Sequence, residues 1–424
     1  MALRGRSESY SRRTVSLVTD AQKTTVAANA APTVRRSVGW RGRLGLLLFG
    51  LLIGFAAVEL VLRILGPRIP IVNTLTSIAT FQTYHPVYGF FHRPGASGWI
   101  ETPEFTSHVR INSRGLRERE IAPAKSPGTY RVLVIGDSFV EGAQVPVENA
   151  VTRKLEQRLA ADMPGRAVEV INAGNAGFGT AQELLFLDHD GRTYQPDLVV
   201  LVYFMDNDLP DNGYRVARER KLDTTRRPFY VPDGKGGIEL RPGTAPEPDR
   251  FEAVRPLLRK TVTYNLIENF LLWHEAREQE QAQIGKNRPT YLVDPPAEWE
   301  EAWWVTEQLL GRVRESANGI GSELVVVAAP SYFQLDADAW RWLVGGDTRD
   351  RNRYEQEAPN GRLAAIAERQ GLRYLDLLPA IRQAHDATGG LYYPADGHWT
   401  SAGHAFAAEQ IADYLAASGL TPRP

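Results

Sequence analysis

Short apolar runs alternate with helical patterns beyond residue 130, and this alternation constrains the fold of the 424-residue chain most strongly. The runs that predict strands lie at 131–135, 168–172, 198–204, 323–329 and 372–376. The patterns that predict helices lie at 149–162, 180–190, 298–317, 353–370 and 400–417. Strands that alternate with helices form parallel sheets with helices on both faces. We therefore predict an α/β fold built on a doubly wound, five-stranded parallel sheet.

The first 65 residues contain a basic segment followed by an apolar one. Residues 1–43 hold nine Lys or Arg and two acidic residues and lack periodicity, which predicts a disordered tail. The apolar run at 44–65 predicts a transmembrane helix, because its 22 residues would span roughly 33 Å. The basic flank places the tail in the cytoplasm and the large domain outside the membrane. A cleaved signal peptide and a buried core helix are the alternatives.

Two further segments accompany the α/β domain, which we place at 129–420. Residues 67–128 carry short alternating runs such as HVRINSRG and predict a small β-rich lead-in. Residues 209–297 form a long insertion between the third and fourth predicted strands, with an amphipathic pattern in YNLIENFLLWHEAREQEQAQ. An insertion at this edge of a sheet predicts either a lid or substrate wall, or a passive helical hairpin.

Composition excludes several classes of function. The formal net charge of −1 gives no electrostatic argument for a nucleic-acid partner. The chain contains no cysteine, so disulfides, thiolate catalysis and cysteine metal sites are excluded. Histidines without the spacing of metal ligands are scattered along the chain, at His85, His92, His108, His189, His274 and His385. We therefore predict no metal, no cofactor and no nucleic acid.

Polar residues follow four of the predicted strands, where each strand ends. Ser138 follows the first strand in RVLVIGDSFVEG, and Gly177 lies after the second strand in the glycine-rich turn VINAGNAGFGTAQE. Asn207 follows the third strand, and Asp396 and His398 follow the fifth in YYPADGHWTSAGH. The carboxyl ends of parallel strands share one edge of the sheet, where open α/β sheets bind their ligands. We therefore expect these residues to converge.

The residue types suit nucleophilic catalysis. A serine hydroxyl needs a histidine to take its proton and a carboxylate to orient the imidazole. Hydrogen-bond donors must also be positioned to stabilise the negative oxygen of a tetrahedral intermediate. Taken alone, Ser138 is more typical of a capping residue in a turn, and Asn207 of a residue that organises one. Their convergence with a histidine and an aspartate favours catalysis.

The stretches GDSF, NAGNAG, DND and DGHW, in this order, resemble the four signature blocks of the SGNH, or GDSL-type, hydrolase family over about 130–418. The resemblance implies a flavodoxin-like three-layer α/β/α fold and ester chemistry on a serine. It implies that Ser138 is the nucleophile, His398 the base and Asp396 its partner. It also implies an oxyanion hole made of the backbone N–H groups of Ser138 and Gly177 and the side-chain amide of Asn207.

The sequence departs from the family pattern at two places. Met205 stands where the family usually has a glycine, two residues before the asparagine. Asp396 and His398 are two residues apart instead of three and are followed by Trp399. This Asp-x-His-Trp form resembles the branch of alginate O-acetyltransferases. The resemblance therefore implies acyl transfer as an alternative to hydrolysis. His404, in SAGH, is the competing base, although a histidine in a helix more often packs or caps.

The sequence therefore predicts a membrane-anchored, extracytoplasmic serine esterase that acts on acyl or acetyl esters of a cell-envelope glycan or lipid. An O-acyltransferase that uses the same acyl-enzyme is the second interpretation. An inactive glycan-binding module is the third, and the complete Ser-His-Asp set argues against it. Trp299, Trp303 and Trp304 have the spacing of helix core packing, with stacking on sugar rings as the alternative.

Overall fold

The computed structural model describes residues 39–65, 81–247, 254–268, 270–271, 286–345 and 351–421. The predicted tail up to residue 38, the start of the lead-in and parts of the insertion lie outside the described residues. The chain divides into two compact units, Met1–Ala56 and Ala57–Pro424.

The predicted apolar helix is present as α1, Trp40–Leu65. The most apolar 18 residues within Trp40–Ile64 have a mean hydropathy of 2.4, and most of their large apolar side chains are exposed. Length and composition therefore suit a membrane span, and a signal sequence near an amino terminus would meet the same criteria.

Eleven strands are present in the described residues. In chain order they are β1 Gln82–His85, β2 Gly89–His92, β3 Ser97–Glu101, β4 Thr106–Arg110, β5 Tyr130–Gly136, β6 Val168–Gly174, β7 Leu198–Phe204, β8 Phe229–Pro232, β9 Ile238–Arg241, β10 Glu323–Ala329 and β11 Arg373–Asp376. Five of them form a parallel sheet in the order β11-β10-β7-β5-β6. Numbered along the chain, this is the 2-1-3-4-5 order of flavodoxin-like folds. The predicted fold class is confirmed.

The helices after α1 cover both faces of this sheet or connect its strands. They are α2 Ser138–Glu141, α3 Val151–Asp162, α4 Thr180–His189, α5 Asp208–Asn212, α6 Tyr214–Glu219, α7 Arg255–Leu258, α8 Ala297–Gly319, α9 Ala337–Gly345, α10 Ala358–Gln370, α11 Leu378–Thr388 and α12 Ser401–Ala417. A further helical stretch lies at 262–268 and 270–271. The helix predicted from 353 begins five residues later, at Ala358, with a proline in its first turn.

The sheet is buried on both faces because its strands are apolar at consecutive positions. Leu133 and Ile135 of β5 face one side, where they pack with α4, α8 and α10. Val132 and Val134 face the other side, where they pack with α3, α11 and α12. All four side chains are at most 1% exposed, as expected for central strands of a parallel sheet.

The lead-in consists of two antiparallel hairpins, β1-β2 and β3-β4. The first packs in the core of the α/β domain, whereas Ile100 and Val109 of the second lie in a separate small cluster with Ala143. Tyr88 and Phe91 pack against Phe178 and Phe186 with ring centroids 5.9–6.1 Å apart. The Tyr88 hydroxyl donates to Asp190 at 2.6 Å. The first hairpin therefore covers the same face of the sheet as α4.

The insertion begins with α5 and α6, continues through the hairpin β8-β9, and reaches α7 and the helical stretch from 262. The amphipathic helix that the sequence predicts from 264 is present as far as 271. Its remainder lies outside the described residues.

Candidate active site

Ser138 is the first residue of a sharp turn from β5 into the four-residue helix α2. Asp137 caps this helix by accepting a hydrogen bond from the backbone N–H of Phe139 at 2.9 Å. Gly136 allows the close approach, because a Cβ there would lie 2.5 Å from the Val140 side chain. Phe139 and Val140 are buried while Ser138 is half-buried, so the hydroxyl stands at the carboxyl edge of the sheet.

His398 connects Ser138 to Asp396. Its Nε2 lies 2.8 Å from Ser138 Oγ, and its Nδ1 lies 2.7 Å from Asp396 Oδ1. The loop that carries both residues turns back on itself through Gly397, whose φ is +83°. Tyr393 closes this turn, since its backbone N–H donates to the carbonyl of His398 at 2.9 Å. Hydrogen bonds therefore connect the three predicted residues in the order Asp396, His398, Ser138.

Aromatic rings hold the imidazole in place. The Phe139 ring lies 4.9 Å from that of His398 and 4.0 Å from that of Phe204. Trp399, which is fully buried, packs edge-on against Phe139 at 5.0 Å. The tryptophan of the Asp-x-His-Trp form thus fills the space behind the serine turn and positions the preceding histidine.

Asp396 is ionised at neutral pH. Burial is the largest single influence and raises its pKa, but the charge and hydrogen bonds of His398 outweigh burial, so the pKa lies below the ordinary value. An ionised carboxylate only accepts hydrogen bonds. The imidazole therefore presents Nδ1–H to Asp396, which leaves Nε2 to accept the proton of Ser138.

The predicted oxyanion donors lie on the loops that follow β5, β6 and β7. The backbone N–H groups of Ser138 and Gly177 have no hydrogen-bond acceptor within the described part of the chain. Gly177 has φ +81°, a conformation that favours glycine. Asn207 follows β7, the neighbour of β5, and precedes α5. The structure thus leaves two N–H groups available to a ligand at this edge.

Three side chains that the sequence analysis missed hold the loop of Gly177. Glu141 accepts a hydrogen bond from the backbone N–H of Ala176 at 2.7 Å. Gln82, from the lead-in, donates to the carbonyl of Ala176 at 2.8 Å. Arg227, from the insertion, donates to the carbonyl of Gly177. The loop is therefore fixed from α2, from the first hairpin and from the insertion.

Glu141 faces His92 in the buried interior. Its Oε1 lies 3.3 Å from Nε2 of His92, and both side chains are inaccessible to solvent. Burial raises the pKa of Glu141, but His92 and the N–H of Ala176 outweigh burial and hold the pKa below its ordinary value. A buried ionised group needs such partners. The lead-in therefore supports the nucleophile turn through His92.

Buried carboxyl groups lie beneath the site. Burial raises the pKa of Asp137 to about 6, although the N–H of Phe139, His398 and the amide of Asn207 act in the opposite direction. Burial, together with repulsion from neighbouring carboxylates, raises the pKa of Glu183 and of Asp208 well above the ordinary range. Their neutral forms are therefore favoured. Asp137 and Asp208 belong to the motifs GDSF and DND, so the motifs contain structural as well as chemical groups.

Glu104 supports the Asp396 loop from the turn between β3 and β4. Its carboxylate accepts hydrogen bonds from the backbone N–H groups of Ala395 at 3.0 Å and Asp396 at 2.8 Å. The neighbouring Phe105 packs against Tyr393 with ring centroids 5.1 Å apart. Nothing in the sequence pattern pointed to Glu104, which is 292 residues from Asp396.

His404 lies away from the Ser138 hydroxyl and caps a helix. It is 1% exposed, and its Nδ1 accepts a hydrogen bond at 3.2 Å from the backbone N–H of Val151, the first residue of α3. Burial lowers its pKa to about 3, and the charges of Arg117 and His398 act in the same direction. The structure thus gives His404 a packing and capping position.

The three tryptophans considered for stacking on sugar rings lie in or beside the core. Trp299 and Trp303 are each 4% exposed in the core, and Trp304 is half-buried. No group of three or more potential ligand side chains is arranged to hold a metal ion in the described residues. His274 lies outside them.

We expect Glu104→Ala to lower kcat/KM for p-nitrophenyl acetate by roughly 10-fold to 100-fold, because hydrogen bonds to a charged group contribute about 1.5–3 kcal/mol. Glu101→Ala, on the same hairpin, is the matched control and should keep the wild-type rate. Comparable rates for the two variants would show that Glu104 does not position the Asp396 loop.

We expect the free energy of unfolding to fall as the pH falls from about 6.5 towards 3, because unfolded chains protonate His404 in this range and the folded protein does not. His404→Gln should remove up to about 1.4 kcal/mol per pH unit from that slope. Denaturant unfolding in detergent at several pH values measures it, with the exposed His108→Gln as control. An unchanged slope in His404→Gln would show that burial of His404 does not cause the loss of stability at low pH.

Comparison with known proteins gives one match to a family. Residues 295–423 match the family model described as an SGNH hydrolase-like domain, acetyltransferase AlgX. This segment runs from α8 through the Asp-x-His-Trp motif to the end of α12. No curated protein in the comparison matches the chain.

Solved structures with related folds are distant in sequence. LAE5, an α/β hydrolase enzyme from the metagenome of Lake Arreo, is 15% identical with a TM-score of 0.36, over 69% of this chain and 96% of that one. The acetylxylan esterase Axe2 from Geobacillus stearothermophilus is 13% identical with a TM-score of 0.34, over 69% and 96%. A lipase/acylhydrolase from Enterococcus faecalis is 15% identical with a TM-score of 0.32, over 68% and 96%.

The family match covers the last two strands of the sheet and the loop that carries Asp396 and His398. The other three signature motifs lie before the matched segment, in the predicted order and on the predicted strands. Residues 295–423 are therefore similar to an SGNH hydrolase-like domain, and the predicted resemblance to the SGNH, or GDSL-type, hydrolase family is confirmed.

Proposed function

We propose that the protein is a membrane-anchored serine esterase that forms an acyl-enzyme on Ser138. The observation that carries the proposal is the hydrogen-bonded line from Asp396 through His398 to Ser138, with distances of 2.7 and 2.8 Å. Each imidazole nitrogen faces the group that general-base catalysis needs. Ser138 follows β5, and the strand order reverses between β5 and β7, where flavodoxin-like sheets bind ligands.

The reaction proceeds in two half-reactions, the acylation of Ser138 and the hydrolysis of the acyl-serine. Ser138 Oγ attacks the ester carbonyl while its proton moves to Nε2 of His398, and the carbonyl oxygen becomes an oxyanion. The N–H groups of Ser138 and Gly177 and the amide of Asn207 stabilise that oxyanion. Collapse breaks the ester C–O bond, and the leaving alcohol takes the proton from His398. Water then repeats the sequence on the acyl-serine and releases the carboxylic acid.

Segment 44–65 of α1 serves as the anchor in this proposal, and 129–420 forms the catalytic domain with the insertion 209–297 within it. The hydropathy of α1 supports the anchor. The basic residues before α1 favour a cytoplasmic amino terminus, so the domain lies outside the membrane. Acyl or acetyl esters of envelope glycans or lipids are the substrates available there.

O-acyl transfer to a glycan is the second candidate function. The match of residues 295–423 to the family of an acetyltransferase favours it, as does the Asp-x-His-Trp form. The first half-reaction is the same, and a sugar hydroxyl replaces water in the second. A silent glycan-binding module would not need the ordered Ser138, His398 and Asp396, so the geometry argues against it.

We expect Ser138→Ala to lower ester turnover by about 10⁵ to 10⁶, and His398→Ala to lower it nearly as much, because nucleophile and base act as a unit. Asp396→Asn should cost on the order of 10⁴, since it favours the wrong tautomer. His404→Ala should keep most of the rate. Turnover of p-nitrophenyl acetate and labelling by a fluorophosphonate measure these effects. An inactive His404→Ala beside an active His398→Ala would reverse the assignment of the base.

Hydrolysis and transfer are distinguished by the fate of the acetyl group. Full-length protein is incubated with an acetyl ester, with and without an envelope oligosaccharide, and free acetate and acetylated sugar are quantified by mass spectrometry. For the esterase we expect acetate release that the sugar does not change. Acetylated sugar formed at the expense of acetate would instead establish transfer. Ser138→Ala is the control that should lose both products.

A further inference from the structure

The part of the insertion between residues 254 and 271 exposes large apolar side chains. Leu257 is 65% exposed, Ile267 55% and Leu271 61%, and Val254 and Phe270 are exposed by 44% and 48%. Positions 267, 270 and 271 have the spacing of one helix face. We call the described residues of this range the 254–271 segment. Large apolar side chains exposed at helical spacing in one short segment are typical of an interaction surface.

The polar groups of the 254–271 segment bond to one another. Arg259 forms two hydrogen bonds to the carboxylate of Glu268, at 3.0 and 3.1 Å, and the Tyr264 hydroxyl donates to the same carboxylate at 3.2 Å. Asn265 donates to the carbonyl of Arg259 at 2.8 Å. This network ties α7 to the helical stretch that follows it. The segment is therefore a defined structure with separate polar and apolar sides.

The 254–271 segment is joined to the last two turns of α1. Glu59 accepts hydrogen bonds from the backbone N–H groups of Val262 and Thr263, at 2.8 and 3.0 Å, and from the Thr263 hydroxyl at 2.9 Å. Arg63 donates to the carbonyl of Lys260 at 2.8 Å. Glu59 thereby caps the helical stretch from 262. The one acidic residue of α1 therefore has a structural reason to be there.

The length of α1 places this junction at the membrane surface. Its 26 residues extend for about 39 Å, whereas the hydrocarbon core is about 30 Å thick, so the terminal turns reach the interface. Residues 254–271 contain three basic residues, Arg255, Arg259 and Lys260, against the single acidic Glu268. Positive charge beside exposed apolar side chains is typical of segments that bind at the surface of anionic membranes.

We propose that the 254–271 segment is a second membrane contact, which inserts Leu257, Ile267 and Leu271 into the boundary between headgroups and acyl chains. The occupant of the apolar face is the lipid bilayer. The inference rests on the anchoring role of α1 in the proposed function and is independent of the ester chemistry. Two contacts restrict the tilt of the domain that contains Ser138, which a single helical tether would leave free.

The absence of cysteine makes the test direct. Ile267→Cys and Leu271→Cys are introduced singly into the full-length chain, labelled with an environment-sensitive fluorophore and reconstituted into vesicles of phosphatidylcholine and phosphatidylglycerol. Lipids with a nitroxide near the headgroup should quench roughly half or more of the fluorescence, as expected for a probe buried 5–10 Å into the interface. Leu240→Cys, on β9 and 42% exposed, is the matched control and should respond to aqueous iodide instead.

A probe at 267 or 271 that iodide quenches as strongly as the probe at 240, with no effect of nitroxide lipid, would overturn the proposal. Quenching that depends on the protein-to-lipid ratio and not on nitroxide lipid would identify a second copy of the chain as the occupant, and would also overturn it.

Further measurements test the apolar contact itself and distinguish its failure from failure of the anchor or of the serine chemistry. With Leu257→Cys as the probe site, the pair Ile267→Ser and Leu271→Ser should reduce nitroxide quenching by at least about twofold, because it removes apolar contact. Full-length protein that fails to sediment with vesicles would refute the anchor, and loss of fluorophosphonate labelling would refute the serine chemistry. Failure to sediment would overturn the inference together with the anchor, whereas loss of labelling would leave contact at 267 and 271 standing.

Discussion

The two hydrogen bonds of one imidazole determine where the rest of the site must lie. His398 can face Ser138 with Nε2 and Asp396 with Nδ1 only if the loop before α12 meets the turn after β5. Much of the surrounding structure serves that meeting. Trp399 fills the space beside the serine turn, His404 joins α12 to the start of α3, and Glu104 holds the backbone of the Asp396 loop.

The oxyanion side of the site depends on a different set of contacts. The loop of Gly177 is held by Glu141 from the nucleophile helix, by Gln82 from the lead-in and by Arg227 from the insertion. An oxyanion hole works because its donors are already aligned when negative charge develops, so a rigid Gly177 loop lowers the barrier of the proposed reaction. The lead-in and the insertion are therefore structural components of the site, in addition to any contact with substrate.

The sequence predicted the parts of the structure that local pattern encodes. Runs of β-branched residues marked the five central strands, and the residues that follow them marked Ser138, Asp396 and His398. The short helix α11, in which only Leu378 and Ile381 are buried, was not predicted from the sequence. Met205 departs from the family pattern without disturbing the sheet, because it is fully buried and its backbone N–H bonds to the carbonyl of Ala329 at 3.1 Å.

The supporting residues could not be found in this way. Gln82 reaches across 94 positions to Ala176, and Glu104 reaches across 292 to Asp396. Such pairs leave no periodicity in a single sequence, since their partners are neighbours only after the sheet has formed. The same holds for Glu59, whose partners lie in the insertion.

Ser138 and its proposed base, His398, are 260 residues apart, so the site can form only late in synthesis of the chain. Proteins are synthesised from the amino terminus, and early segments begin to fold before late ones exist. The serine turn, β5 and β6 are complete while Asp396 and His398 are still untranslated. In the proposed reaction, the nascent polypeptide therefore does not react with esters until Asp396 and His398 have left the ribosome and reached the serine turn.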